Sequence, residues 1–256
     1  MPEFLKLKNI DKYDLDDPRR TVLHKEIILS KPFLKKLYIE WYNSFKKECS
    51  KFENPKIIEL GSGGGFIKEV MPDVLTSDIL HLAENDLTFN ALEMPFENNT
   101  IDAFLMIDVF HHVPDSDKFL NEMQRCLKPG GKIIMNEPWN SIWGRFIYKN
   151  FHHETFNPQG NWTIPSNGPM SDANGALPWI VFYRDRKKFE EKFKDLKIKV
   201  LKPHTPLRYL LSGGVSMKSL VPDFSFGLFS AIEKILSPFA AMFSMFATII
   251  IEKKNQ

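Results

Sequence analysis

Glu59-Leu60-Gly61-Ser62-Gly63-Gly64-Gly65 directly follows the apolar pair Ile57-Ile58. A buried strand that ends in an acid and enters a glycine-rich bend brings main chain close to a ligand, because no Cβ blocks the turn or the approach. Two phosphate-binding patterns fail here on spacing. The dinucleotide fingerprint needs a third glycine three residues after the second, where this chain has Phe66. The P-loop needs a Gly-Lys-Ser/Thr ending, and the bend has none. Other polar residues close apolar runs further along: Asp78, Asn90 and Asp108, the last followed by His111 and His112. Imidazole titrates in the range where proton transfer is useful.

The elements that must position these residues can be read from periodicity. Ile101 to Ile107 is a near-continuous apolar run, as a central parallel strand requires. Further strands are expected at Lys56 to Leu60, Val74 to Asp78, Asp86 to Asn90 and Lys132 to Asn136, with a short helix at Phe66 to Met71. Asp115 can cap a helix bearing Phe119, Leu120, Met123 and Leu127, which Lys128-Pro129-Gly130-Gly131 would stop. Strand-helix alternation of this kind predicts a doubly wound α/β sheet, in which ligands bind beyond the carboxyl ends of the strands where their order reverses. Glu59, Asp78, Asn90 and Asp108 should therefore converge on one crevice.

Outside this core, Ser30 is a candidate N-cap for a helix with Phe33, Leu37, Trp41 and Phe45 on one face. Packing on the domain is the favoured role, and a lid over the crevice is compatible with it. From Glu137 to about Arg184 the pattern breaks down into an aromatic, Pro- and Asn-rich stretch, and Pro165 to Pro178 reads as an ordered loop. Phe189 and Phe193 lie one turn apart on a charged helix. Leu196 to Val200 alternates as a half-buried strand, and Phe246 to Ile251 reads as a buried one.

Composition sets further bounds. The 256 residues are 43% hydrophobic and 26% charged, with a formal charge of +2, which gives no reason to expect a nucleic-acid partner. Cys49 and Cys126 have no metal-ligand spacing and no disulfide framework, so a reducing cytoplasm is expected. The segment from Met1 to Asp17 lacks the apolar core of a signal peptide. Ile235 to Ile251 carries no charge, but Pro238 interrupts it. A helix end, a turn and a buried strand suit it better than a membrane span. Peripheral membrane contact by Phe224 to Phe243 stays open.

The acid-x-Gly-x-Gly-x-Gly bend, Asp78, Asn90-Ala91-Leu92-Glu93-Met94-Pro95-Phe96, Ile101-Asp102 with Asp108-Val109-Phe110-His111-His112, and Leu127-Lys128-Pro129-Gly130-Gly131 occur in that order. Together they resemble class I S-adenosylmethionine-dependent methyltransferases with a type 11-like domain. That resemblance implies a Rossmann-like, mostly parallel seven-stranded sheet with an antiparallel last strand, an N-terminal helix, and an insert after the fifth strand. One domain would then divide into an N-terminal extension (1–54), a cofactor-binding core (55–138), a substrate-side insert (139–185) and a C-terminal completion of the sheet (186–256).

S-adenosylmethionine is the implied cofactor. Glu59, Gly61, Ser62, Gly63 and Gly65 would hold its amino-acid and ribose parts, and Asp78 its ribose hydroxyls. Asn90 and Ala91 would take the adenine, with Asp108 at the end of the fourth strand. Asn90 stands where the family has an acid, and only eleven residues separate it from Asp78, so the helix usual there should be a loop. His111 and His112 are candidate bases; Glu137 and His152-His153-Glu154 are weaker ones, and no metal is assigned. The Asn/Asp-Pro-Pro-aromatic motif of amine methylation on bases is missing, so the expected reaction is O- or C-methylation of a small, apolar or aromatic metabolite. A catalytically silent cofactor- or partner-binding module on the same fold is the alternative.

Overall fold

In the computed structural model, residues 5–152 and 154–255 are described. Two helices open the chain, α1 (Pro18–Ser30) and α2 (Pro32–Cys49). Short strands β1 (Ile57–Glu59), β2 (Leu75–Asp78) and β3 (Leu87–Thr88) follow, then β4 (Ile101–Ile107), α3 (Ser116–Cys126) and the long β5 (Leu127–Pro138). The insert contains α4 (Ile142–Phe151) and the short α5 (Leu177–Trp179), which runs on as a π-helical turn over Ile180–Arg184. The chain ends with α6 (Arg186–Lys192), β6 (Leu196–His204), α7 (Arg208–Ser212), α8 (Phe226–Leu236), α9 (Ala240–Phe243) and β7 (Phe246–Lys253).

The strands form one seven-stranded sheet in the order β3-β2-β1-β4-β5-β7-β6. Pairings from β3 to β5 are parallel, and β7 runs antiparallel to both β5 and β6. The expected doubly wound sheet with an antiparallel last strand is therefore present. Its order reverses between β1 and β4, which opens a crevice beyond Glu59 and Ile107. From Ile101 to Met106 every residue of β4 is buried, as a strand covered on both faces must be.

Several boundaries differ from the sequence expectation, each for a local reason. Ser30 ends α1 and does not cap α2; the cap position is Lys31, and Pro32 supplies the preset first turn of α2. Phe33, Leu37, Trp41 and Phe45 are all buried as expected. At the other motif, α3 stops at Cys126, two residues before Lys128 opens the Lys-Pro-Gly-Gly segment, and Asp115 caps its start through Lys118 N. Leu127 to Gly131 already belong to β5, across a register shift against β4 that absorbs the proline and glycines. The Phe66 to Met71 helix is only a 3-10 turn over Ile67–Glu69. Between β2 and β3 no helix forms, as the eleven-residue spacing required.

The junction of α1 and α2 is tied to the C-terminal half by one buried cation. Lys31 Nζ donates to the carbonyls of Gly214 (2.7 Å), Ser212 (3.3 Å) and Met217. Replacing it by methionine leaves three carbonyls of the loop after α7 without that donor. Lys31→Met is expected to cost about 2–4 kcal/mol of stability, measured by urea unfolding of the two proteins.

Candidate active site

The crevice is a cavity of about 510 Å³. Glu59, Gly61, Ser62, Gly63, Gly65, Asp78, Asn90, Ala91 and Asp108 all line it, and so do His111 and His112. Sequence-distant strand ends thus meet along one rim, as the topology predicts.

The bend after β1 is fastened to β2 by serines. Ser62 N donates to the Ser77 carbonyl (2.8 Å), Ser77 N donates to Ser62 Oγ (3.1 Å), and Ser77 Oγ donates to the Glu59 carbonyl (2.7 Å). Ser62 therefore holds the loop in shape. Gly61 has φ +59°, and a Cβ there would lie 2.6 Å from Val109 Cγ2, so both dihedral and packing demand glycine. At Gly64 the constraint is a close approach: a Cβ would lie 2.9 Å from Lys25 N on α1. That helix was not expected from the sequence, yet Thr21, His24 and Ile28 on it line the cavity. Tyr38 and Tyr42 of α2 do so as well, so α2 both packs and walls the site.

Asp78 joins the same bend. Its Oδ2 accepts from Gly63 N (3.1 Å) and its Oδ1 from Leu80 N (2.9 Å). Burial raises its carboxyl above the ordinary range, against those amide contacts. Glu59 is 3% exposed and its Oε2 has no hydrogen-bond partner among the described residues. Burial pushes its carboxyl up to about 8 against the nearby hydroxyls of Ser62 and Tyr42, and the like charge of Asp78 adds to the effect. Asp108 holds a left-handed backbone (φ 57°), and its carboxyl is likewise pushed up to about 8 by burial. No lysine or arginine among the described residues forms an ion pair with any of these three carboxyls. Asn90, by contrast, is exposed, and its Oδ1 accepts from Leu92 N (2.9 Å) in a local turn.

A second part of the site, beside Asp108, holds histidines and carboxylates in close contact. Glu137, fully buried on β5, accepts from Val109 N (2.9 Å) and Phe110 N (2.7 Å) through Oε1 and meets His111 Nδ1 through Oε2 at 2.8 Å. On its other side His111 Nε2 lies 3.3 Å from Glu154 Oε2. Burial alone would lower the His111 pKa, but Glu137 and Glu154 outweigh it and hold the ring protonated, well above the usual range. His112 differs: burial and the charge of His111 bring it down to about 4. With Nδ1 at 3.0 Å from the Asp172 carbonyl, which can only accept, the neutral ring carries its hydrogen there and leaves the Nε2 lone pair facing Glu154 Oε1 at 3.7 Å. His152 Nδ1 adds a third contact to Glu154, at 3.6 Å from Oε2. Burial would raise Glu154, and His152 and His111 reverse this, keeping it well below the usual range.

The weaker sequence candidates Glu137, His152 and Glu154 thus lie at the centre of the group; His153 falls outside the described residues. His111, His112 and Glu154 also bring donor atoms within 4.8 Å of one another, a set able to share a cation. A protonated His111 meets the same charge requirement.

Residues 58–135 match a family described as a methyltransferase domain. A ubiquinone biosynthesis O-methyltransferase from Bartonella tribocorum is 31% identical over 114 residues, 36% of this chain and 46% of that protein. The chain therefore spans less than half the length of this curated relative. Among solved structures, a possible histamine N-methyltransferase from Thermotoga maritima matches with a TM-score of 0.52 and 16% identity, covering 96% of this chain and 97% of that one. The geranyl diphosphate C-methyltransferase of Streptomyces coelicolor A3(2), solved with S-adenosyl-L-homocysteine, matches at a TM-score of 0.51 and 16% identity, covering 98% and 90%. At such identities these structures establish the shared fold.

The sign of the Glu59 effect is fixed by its shift. Its folded value, about 8 against an ordinary 4.5, means the unfolded chain ionises more readily. The favourable contribution is complete below about pH 4.5 and is lost as pH rises through about 8. Glu59→Gln is expected to stabilise the ligand-free protein by about 1–3 kcal/mol at pH 8 and to flatten the slope of stability over that window, as read by denaturant titrations from pH 5 to 8.5.

Proposed function

We propose that this chain is a class I S-adenosylmethionine-dependent methyltransferase that methylates oxygen or carbon on a small, apolar or aromatic acceptor. One observation carries the reading: two buried carboxyls, Glu59 and Asp78, line a single cavity with no lysine or arginine paired to them among the described residues, and Asp108 and a protonated-histidine group line the same cavity. Carboxyls held up by desolvation favour a ligand that brings positive charge. S-adenosylmethionine brings an ammonium and a sulfonium, and the sulfonium makes its methyl group electrophilic. The unpartnered Glu59 Oε2 suits the ammonium, and Asp78, with lone pairs left beside Gly63, suits a cis-diol. Ala91, Leu92 and Phe89 form an apolar edge for the adenine.

The acceptor end is walled by Tyr148, Tyr209, Val215, Phe246 and Pro138, which exclude water and suit a flat or aliphatic compound. An acceptor hydroxyl or enol also has to lose a proton. His112 Nε2 and Glu154 flank one point on this wall, where such a hydroxyl can donate to Nε2 while the carboxylate stabilises the resulting imidazolium. His111 and Glu137 are positioning residues: they hold Glu154 and the loop after β4 in register. The O-methyltransferase name of the Bartonella relative supports the choice of acceptor atom. The buried free thiols Cys49 and Cys126 suit the reducing cytoplasm proposed for it.

Calorimetry is expected to show binding of S-adenosylmethionine and of its demethylated product, but not of NAD. Glu59→Gln should weaken donor binding roughly 10–100-fold through loss of a charged hydrogen bond. Absence of donor binding to the wild type would remove the reading, and binding without turnover across an acceptor library would leave only the silent module. Once an acceptor is found, His112→Gln should lower kcat about 10²–10³-fold with donor affinity unchanged. A base with a pKa near 4 is neutral at all higher pH. The rate at saturating donor should therefore hold from pH 8 to about 5 and fall as pH nears 4, not near the ordinary histidine value of about 6.5.

A further inference from the structure

The segment Asp223–Phe243 is long and apolar enough to cross a membrane by length and composition, yet only 6% of its most apolar window is buried. Phe224, Leu228, Ile235, Phe239 and Met242 are exposed at 88%, 62%, 74%, 56% and 46%. A face of this kind is rare on a soluble surface without a partner. From its position, anchoring and charge, we infer that this face seats the protein on an anionic lipid bilayer, lying flat in the interface.

The orientation follows from how the segment is fastened. At its start Asp223 Oδ1 accepts from Phe33 N (3.0 Å), and Phe226 and Phe229 pack edge-on against Phe33 at 5.0 and 6.5 Å. In the middle, Glu233 is buried and paired with Arg208 Nε at 2.6 Å, and also accepts from the amides of Leu207 and Arg208. At its end Ser244 and Met245 are buried in the domain. The helix is also broken by the 3-10 turn at Ser237–Phe239. Standing upright through a bilayer would tear out a buried ion pair and an aromatic cluster; lying in the interface keeps both.

Charge selects lipid over a protein groove. Between Phe224 and Phe243 the charged residues are Glu233 and Lys234. The acid is turned inward and neutralised, whereas Lys234 is exposed. Exposed Lys36 approaches the Phe226 ring, with Nζ 5.9 Å from its centroid. The one other charge of the segment, Asp223 at its start, is exposed but tied by Oδ1 to Phe33 N, and an apolar surface bordered by Lys234 and Lys36 complements acyl chains beneath anionic headgroups. The apolar surface also continues onto α4, which packs against α9 and exposes Ile142 and Phe146.

This placement has a consequence for substrate supply, which rests on the function proposed above. A second cavity of about 260 Å³ lies between α4 and α7, lined by Ile147, Phe151 and Leu210. It shares Tyr148, His152, Tyr209 and Val215 with the main cavity. Both its walls pack on the apolar segment, since α7 contacts α8 and α4 contacts α9. A lipophilic acceptor can pass from bilayer to methyl site between them.

Flotation with phosphatidylcholine vesicles, with and without phosphatidylglycerol, tests the docking without any need for turnover. The full chain should float with the anionic vesicles, more weakly with phosphatidylcholine alone, and less in high salt. Ile235→Glu and Phe239→Glu, both at exposed positions, should each lower partitioning about tenfold or more while calorimetric binding of S-adenosylmethionine stays unchanged. Wild type that stays behind with both vesicle types, or variants that float equally well, would overturn the inference. So would a wild-type dimer that the variants dissociate without any vesicle binding, since a second copy would then cover the face. Donor calorimetry fails or succeeds independently, so loss of the enzymatic reading and loss of the docking are told apart.

Discussion

Burying a carboxyl group without a cation beside it raises its pKa and opposes folding whenever it ionises. This fold does so at Glu59 and Asp78, and in the same cavity burial pushes Asp108 up against the opposing charge of His111. Such an arrangement persists only when the rest of the structure holds it. The serine contacts between the bend and β2 are inside the sheet edge, and the parallel pairing of β1 with both β2 and β4 fixes the rim. A ligand that brings positive charge would let these carboxyls ionise, so their burial couples ionisation to binding in the function proposed above.

The histidine group beside Asp108 solves a different electrostatic problem. Glu137 is buried on β5, but two backbone amides and the His111 imidazolium satisfy it. Because those amides belong to the loop after β4, the residue fixes the geometry of that loop and the protonation of His111 together. Two adjacent histidines thereby acquire opposite states, one charged and one neutral. Environments that drive neighbouring titratable groups apart are how one site can hold both a fixed charge and a proton acceptor.

Much of the donor side was legible in the sequence because it depends on strands. A near-continuous apolar run of seven residues such as Ile101 to Ile107 suits a central strand by its length and by the turn signals around it, and topology then brings the strand-end residues together. What was not legible depends on contacts distant along the chain. Helix α1 was missed because Arg20 and Thr21 are buried beside Ile27 and Ile28, which blurs any apolar stripe. Helix α4 was missed because it exposes Ile142 and Phe146 while burying Gly144, so its period is masked. Pro129-Gly130-Gly131 read as a helix stop, whereas it is a bulge that β5 carries against β4. Glu137, His111 and Glu154 lie on separate elements, and nothing in the local sequence around each announces the other two.

The missing helix between β2 and β3 leaves the flank around Asn90 open, while α1 lies hard against Gly64 on the other side. With the adenine at Asn90 and Ala91, as proposed, the nucleoside would enter and leave past residues 79–92, because α1 packs against the bend on the other side. A site built this way tolerates bulk on the adenine's outer edge. Donor analogues extended from the exocyclic amine would project into solvent there, which makes this flank the natural attachment point for affinity tags or selective inhibitors.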